Sequence, residues 1–175
     1  PKADKILKDG DVINIDVSGE LGGFWADNGG SIVVGDDVNG YQKIVNASIS
    51  ALQKAVGAVK SGVKIADIGG IIEKEAKKHH FSVIENLTGH GVGRSLHEEP
   101  LDLMNFRDPD DKRRFRKNSV IALETFISEN SYEAIEQADG WTMIGNEPGV
   151  FAQHEHTVLV TSEGPMILTL MNGNW

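Results

Sequence analysis

The sequence of 175 residues contains no cysteine, which excludes disulfides and thiolate metal sites together. No apolar run is long enough to cross a bilayer as a helix. No signal-like apolar stretch follows the opening Pro1-Lys2-Ala3-Asp4. That opening fits a processed natural product and a piece of a longer protein equally, and targeting sequences upstream would then be invisible. Basic side chains are the minority, 17 against 26 acidic, for a formal net charge of −9. A sequence-independent nucleic-acid binder needs a basic stripe to displace counterions, so this balance argues against one. Internal repeats, low-complexity tracts and a linker long enough to divide two domains are missing as well. What remains is ordinary: 39% apolar and 25% charged residues, in a length that suits one domain with a real core. The acidic surplus leaves room for a site that binds a hard divalent cation.

Hydrophobic periodicity divides the chain. Residues 11–18 alternate with a period of two, which predicts a strand with Val12, Asn14, Asp16 and Ser18 on one face. Gly22-Gly23 predicts a hairpin turn, Phe24 to Asp27 a returning strand, and Ser31 to Gly35 a further short strand. From Tyr41 to Lys60 the period becomes helical, with Val45, Ile49, Leu52, Val56 and Val59 inward. A second helix is expected from Ile65 to His80, with Ile65, Ile68, Ile72 and Ala76 inward. Its Gly69-Gly70 pair costs about 1 kcal/mol per glycine relative to alanine, which close packing against a neighbour could offset. Strand-like pieces follow at Phe81–Asn86, Ser119–Ser128, His154–Thr161 and Met166–Leu170. Asp108 to Lys117 reads as a charged surface loop or the approach to a strand. Strands, two helices, then strands make an α+β fold with a mainly antiparallel sheet.

Ionisable residues recur on or beside these strands. Asp16 and Asp27 lie in the two arms of the hairpin and read first as a solvated Asp on each strand, but Asp16 sits in an apolar run where a buried carboxylate would need a partner. His90 lies in Gly89-His90-Gly91-Val92-Gly93-Arg94, whose spacing fits neither a dinucleotide fingerprint nor a P-loop. It reads as a metal ligand, a general base or a hydrogen-bonded structural histidine. His97-Glu98-Glu99-Pro100 is not the HExxH zinc signature. Glu124 interrupts a buried-looking strand. In Gln153-His154-Glu155-His156-Thr157, alternation puts Glu155 opposite His154 and His156, so the three cannot converge on one ion. Glu155 reads as the ligand and the histidines as surface or supporting groups. Four carboxylates and one imidazole form an oxygen-rich set suited to two divalent ions that would hydrolyse an amide or ester.

Asp9-Gly10-Asp11-Val12-Ile13-Asn14-Ile15-Asp16, then Asp27, Gly89-His90-Gly91-Val92-Gly93, His97-Glu98-Glu99-Pro100, Glu124, Asp139-Gly140-Trp141-Thr142 and Glu155-His156-Thr157 resemble type I methionine aminopeptidase along nearly the whole chain. Aminopeptidase P and prolidase share the ligand set, but the His-Glu-Glu-Pro and Asp-Gly-Trp-Thr segments favour the methionine enzymes. The resemblance implies the pita-bread fold and two divalent ions, with Co, Mn, Fe and Zn all open. Asp16 would chelate one ion, Asp27 and Glu155 would bridge both, and His90 and Glu124 would complete the other. Glu124 would also shuttle the proton, and His97 would bind the substrate's peptide group. Trp141 would wall the methionine pocket or serve as an ordinary core residue.

Leu96 stands where many members carry an aromatic pocket residue, and Thr125 and Phe126 stand where Pro and Met are frequent. The implied substrate is the N-terminal methionine of peptides and nascent chains, in the cytoplasm, with the ribosome as a further partner and no nucleic-acid or membrane site. The whole of 1–175 would be one catalytic domain lacking the family's N-terminal part. Residues 1–35 would close the N-terminal half and 36–175 form the C-terminal half. Such a chain is expected to self-associate where the intact enzyme is monomeric. The alternatives are a pita-bread binding module without turnover and an X-Pro-specific relative.

Overall fold

A computed structural model describes residues 4–170; the opening Pro1-Lys2-Ala3 lies outside the described residues. A long hairpin comes first, β1 (Val12–Leu21) and β2 (Phe24–Val33). Its two-residue turn has Gly22 at φ 62° and Gly23 at φ 84°, the left-handed pair that a tight antiparallel turn demands. The separate short strand expected at Ser31–Gly35 is instead the far end of β2. Ser31 pairs with Asn14 in one unbroken register, so Gly29-Gly30 does not interrupt the ladder.

The helices follow as α1 (Gln42–Ala58) and α2 (Ile65–Lys78). All four inward residues expected of α2 are buried, as are Val45, Leu52 and Val56 of α1. Asp37 starts α1 by accepting hydrogen bonds from the Tyr41 and Gln42 amides at 2.7 and 3.0 Å, which satisfies donors that a helix start leaves open.

Eight further strands complete the chain: β3 (Ser82–Val83), β4 (Gly89–Gly91), β5 (Glu98–Leu103), β6 (Val120–Ser128), β7 (Ala134–Glu136), β8 (Met143–Gly145), β9 (Phe151–Val160) and β10 (Pro165–Ile167). The main sheet is antiparallel, in the order β1-β2-β9-β6-β4-β5, with β3 beside β6 and β10 beside β9. β7 and β8 form a separate hairpin. In the expected charged loop, Phe115 is buried and exchanges backbone hydrogen bonds with Gly62 and Val63.

Period-two alternation divides the two central strands between helix and site. Ile121, Leu123 and Ile127 of β6 and Val158 and Val160 of β9 join the helices in the core. Thr125 points the same way and its hydroxyl meets Ser48 of α1 at 2.8 Å. The intervening Glu124 and Glu155 are thereby committed to the opposite face.

β1 is the edge of the sheet, so Asp16 is exposed and its neighbours Ile15 and Val17 are 56% and 62% exposed.

The glycine pair of α2 has its explanation in packing. A Cβ on Gly69 would stand 2.2 Å from the Phe106 carbonyl oxygen and 2.5 Å from that of Met104. Helix propensity alone would make Gly69→Ala stabilising by about 1 kcal/mol. The contact reverses the sign, and urea unfolding should show a loss of about 1–3 kcal/mol, typical of overpacking. A stabilised variant would contradict this reading.

Candidate metal centre

The site lies on the face of the sheet away from the helices and is assembled from neighbouring strands. β2 supplies Asp27, β4 His90, β6 Glu124 and β9 Glu155, and in the register Glu124 stands directly opposite Glu155. Thr157 of β9 holds Asp27 in place: its hydroxyl accepts from the Asp27 amide at 2.8 Å and donates to the Asp27 carbonyl at 2.7 Å. The glycines beside His90 are steric necessities. A Cβ on Gly91 would lie 2.4 Å from the Glu99 carbonyl oxygen, and one on Gly89 2.6 Å from that of Ala122.

Ligand atoms of Asp27, His90 and Glu155, all buried, lie within 4.8 Å of one another. Glu124 joins them, with Oε1 3.6 Å from His90 Nε2, while Asp27 Oδ2 is 3.8 Å from the same nitrogen. The His90 ring directs Nδ1 at the Gly91 carbonyl oxygen, 3.0 Å away. That contact assigns the proton to Nδ1 and leaves a lone pair on Nε2, the tautomer of a ligating imidazole. Burial lowers the His90 pKa, which keeps the ring neutral. The cluster therefore presents acceptors to acceptors, and the Glu155 Oε1 atom is buried without any hydrogen-bond partner. Such a donor set suits a divalent cation and is costly without one.

The carboxyls record the same crowding. Burial, then the charges of Asp16 and Asp27, push Glu124 up to about 8. Burial, then Glu124, Asp27 and Asp16, push Glu155 up to about 9. Asp16 reaches the group through its carboxyl, which meets that of Asp27; desolvation and the Asp27 charge raise its pKa.

His97 stands over the cluster, its ring centroid 4.1 Å from that of His90. Its loop is held at both ends. Glu98 accepts from the Arg94 and Ser95 amides at 2.9 and 3.2 Å. The Arg94 guanidinium donates to the Gly23 carbonyl at 3.1 Å and lies 3.8 Å over the Phe24 ring. His90, His97, Glu124 and Phe126 line a cavity of about 400 Å³. Phe126 also lines a second, largely apolar cavity of about 250 Å³ with Ile84, Met143, Ile144, Phe151 and Gln153.

Trp141 lines neither cavity. It sits 82% exposed in the turn joining β7 to β8, beside Asp139, which accepts from the Trp141 and Thr142 amides. Exposure also removes the core alternative for this residue. Leu96 is half-buried in the His97 loop and lines neither cavity. His154 and His156 face away from Glu155, with Nδ1 atoms against Ser48 and Thr169 at 3.0 and 2.9 Å. Gln153 and Thr157 went unassigned in the sequence, although both share the parity of Glu155. Met143, Ile144 and Phe151 carried no signal there at all.

An antiparallel sheet backed on one face by helices, with a buried acceptor cluster on the other, is the framework of a metallopeptidase. The sequence pattern of metallopeptidase family M24 matches residues 1–162. Over 169 residues the chain is 44% identical to methionine aminopeptidase 2 of Bacillus subtilis (strain 168), covering 97% of this chain and 68% of that protein. A methionine aminopeptidase of Staphylococcus epidermidis is 41% identical over 166 residues, covering 94% and 66%. The solved methionine aminopeptidase of Thermotoga maritima superposes with a TM-score of 0.90 at 32% identity, covering 95% of this chain and 67% of that one. Prolidase from Pyrococcus furiosus superposes with a TM-score of 0.74 at 26% identity, covering 97% and 44%. The chain spans about two thirds of the length of these methionine aminopeptidases. It belongs to metallopeptidase family M24, on the type I methionine aminopeptidase branch, and its fold is the pita-bread fold. No helix among the described residues is long and apolar enough to cross a membrane.

A pH dependence follows from the raised carboxyls. Folded Glu124 and Glu155 bind protons more tightly than they do unfolded, so they stabilise the metal-free protein in acid and lose that contribution as pH rises towards about 9. The buried histidines act in the opposite sense, but their effect ends near the unfolded pKa of about 6.5. The melting temperature of metal-free protein should therefore fall between about pH 7 and pH 9, and Mn²⁺ should abolish the fall. A flat or rising profile without metal would contradict the crowding described here.

Proposed function

We propose that the chain removes N-terminal methionine from peptides and nascent proteins by metal-dependent hydrolysis. The observation that carries this reading is the buried cluster of Asp27, His90 and Glu155, with Glu124 3.6 Å from His90, opening onto a cavity overhung by His97. Two divalent ions (Co, Mn, Fe or Zn) would be held, with Asp27 and Glu155 shared between them, His90 and Glu124 on one side and Asp16 on the other. When bound, such ions supply a nucleophilic water at neutral pH and polarise the scissile carbonyl. The unbroken sheet from β1 to β5 supports reading 1–175 as one catalytic unit, in which 1–35 bring Asp16 and Asp27 and 36–175 bring the rest.

The chain's own groups divide the remaining work. Glu124 lines the open cavity and takes the proton of the attacking water, then returns it to the leaving amine. His97, exposed to that cavity, donates to the substrate's peptide group and steadies the developing oxyanion. The neighbouring apolar cavity, with Met143, Ile144 and Phe151 along its wall, is sized for one flexible apolar side chain. Trp141 and Leu96, to which the resemblance gives a pocket role, line neither cavity in this structure.

The test is release of free methionine from a Met-Ala-Ser peptide by Mn²⁺-loaded protein, beside an Xaa-Pro dipeptide as the competing specificity. Turnover of the first and not the second is expected. Glu124→Gln should lower kcat by about 10²–10⁴-fold with little change in KM, because proton transfer is a transition-state role. Metal content is measured in the same samples. A fully loaded variant with unchanged kcat would remove the shuttle from the account.

A further inference from the structure

Gln153 is 6% exposed and lies two residues before Glu155 on the same face of β9. Its Nε2 donates to Glu155 Oε2 at 3.0 Å. The opposite end of the amide has nothing: Gln153 Oε1 is sealed from solvent without a hydrogen-bond partner. Buried acceptors are seldom left unpaired, and one that is calls for an explanation.

The surroundings hold the amide in this orientation. The Gln153 backbone amide donates to Ser31 Oγ at 2.9 Å, and Ser31 Oγ donates to Asn14 Oδ1 at 3.2 Å. Beneath the side chain is Gly29, where a Cβ would stand 2.6 Å from Oε1 and 2.8 Å from Nε2. A glycine in the middle of β2 therefore makes the space the amide occupies. A methionine at 153 would fill that space with no orphaned acceptor, so volume alone does not account for a glutamine.

We propose that Gln153 is a positioning residue of the metal centre. It holds Oε2 of Glu155, leaving the unpartnered Oε1 for a cation. An amide suits the task because it donates a hydrogen bond and neither titrates nor competes as a cation. The inference rests on the cluster being a metal centre.

The test uses the full chain and Mn²⁺ as probe. Gln153→Met preserves length and volume and removes the donor to Glu155. Calorimetry should show Mn²⁺ affinity lowered about 10–100-fold, the usual effect of losing a group that orients a ligand. At saturating Mn²⁺, kcat on Met-Ala-Ser should fall with KM within about twofold. Gly29→Ala should reproduce the affinity loss by displacing the amide. The double variant should then be no worse than Gln153→Met alone, as expected of two changes acting through one group. Wild-type affinity and kcat in Gln153→Met would overturn the proposal, since a purely space-filling side chain predicts that result. Wild-type protein that binds Mn²⁺ without releasing methionine would defeat the proposed function alone, because calorimetry still reads the positioning role. Failure of wild-type protein to bind Mn²⁺ would overturn both.

Discussion

Repulsion among buried acceptors is the constraint on which the rest of the site depends. Asp27, Glu124, Glu155 and the bare Nε2 of His90 meet at distances of a few ångströms, acceptor against acceptor, with Gln153 donating to Glu155 Oε2 from one side. Desolvation alone would drive such a group apart or leave it protonated, and the raised Glu124 and Glu155 carboxyls show the second response. A divalent cation removes the conflict by replacing each unfavourable pair with an attraction. The protein thus stores, in its acid form, an affinity that becomes useful when protons are exchanged for metal.

Holding the group together requires a rigid sheet, and its alternation supplies the means. Every second residue of β6 and β9 is gripped by the helices, through Ile121, Leu123, Ile127 and Val158 in the core and the Ser48–Thr125 hydroxyl pair. The residues between have no choice of face. Thr157 then fastens Asp27 across to β9, and Arg94 fastens the His97 loop to the hairpin turn. Precision in the site is a consequence of packing on the far side of the sheet.

Much of this was legible in the sequence because it follows from periodicity. The two helices read clearly from i, i+3, i+4 spacing, and the parity of Glu155 against its flanking histidines is what β9 displays. β4 and β5 were not legible as strands, since Gly89-His90-Gly91 and Glu98 to Leu103 carry no alternation; the sheet imposes their form, with β4 pinned between two neighbours. The sequence left open whether Asp16 is solvated or buried, because an apolar run says nothing about whether a strand lies at an edge; β1 is the edge, and Asp16 is exposed. The motif around Trp141 is present, and Asp139 organises a turn that leaves the ring exposed in this structure. The apolar cavity residues were invisible because Met143 and Phe151 come together only through the placing of the β7–β8 hairpin.

The most direct measurement is anomalous diffraction from crystals of this chain soaked in Mn²⁺. The account predicts two peaks a few ångströms apart, with Asp27 and Glu155 between them, His90 and Glu124 on one side and Asp16 on the other. No peak in the cluster, or a peak ligated by other residues, would contradict it.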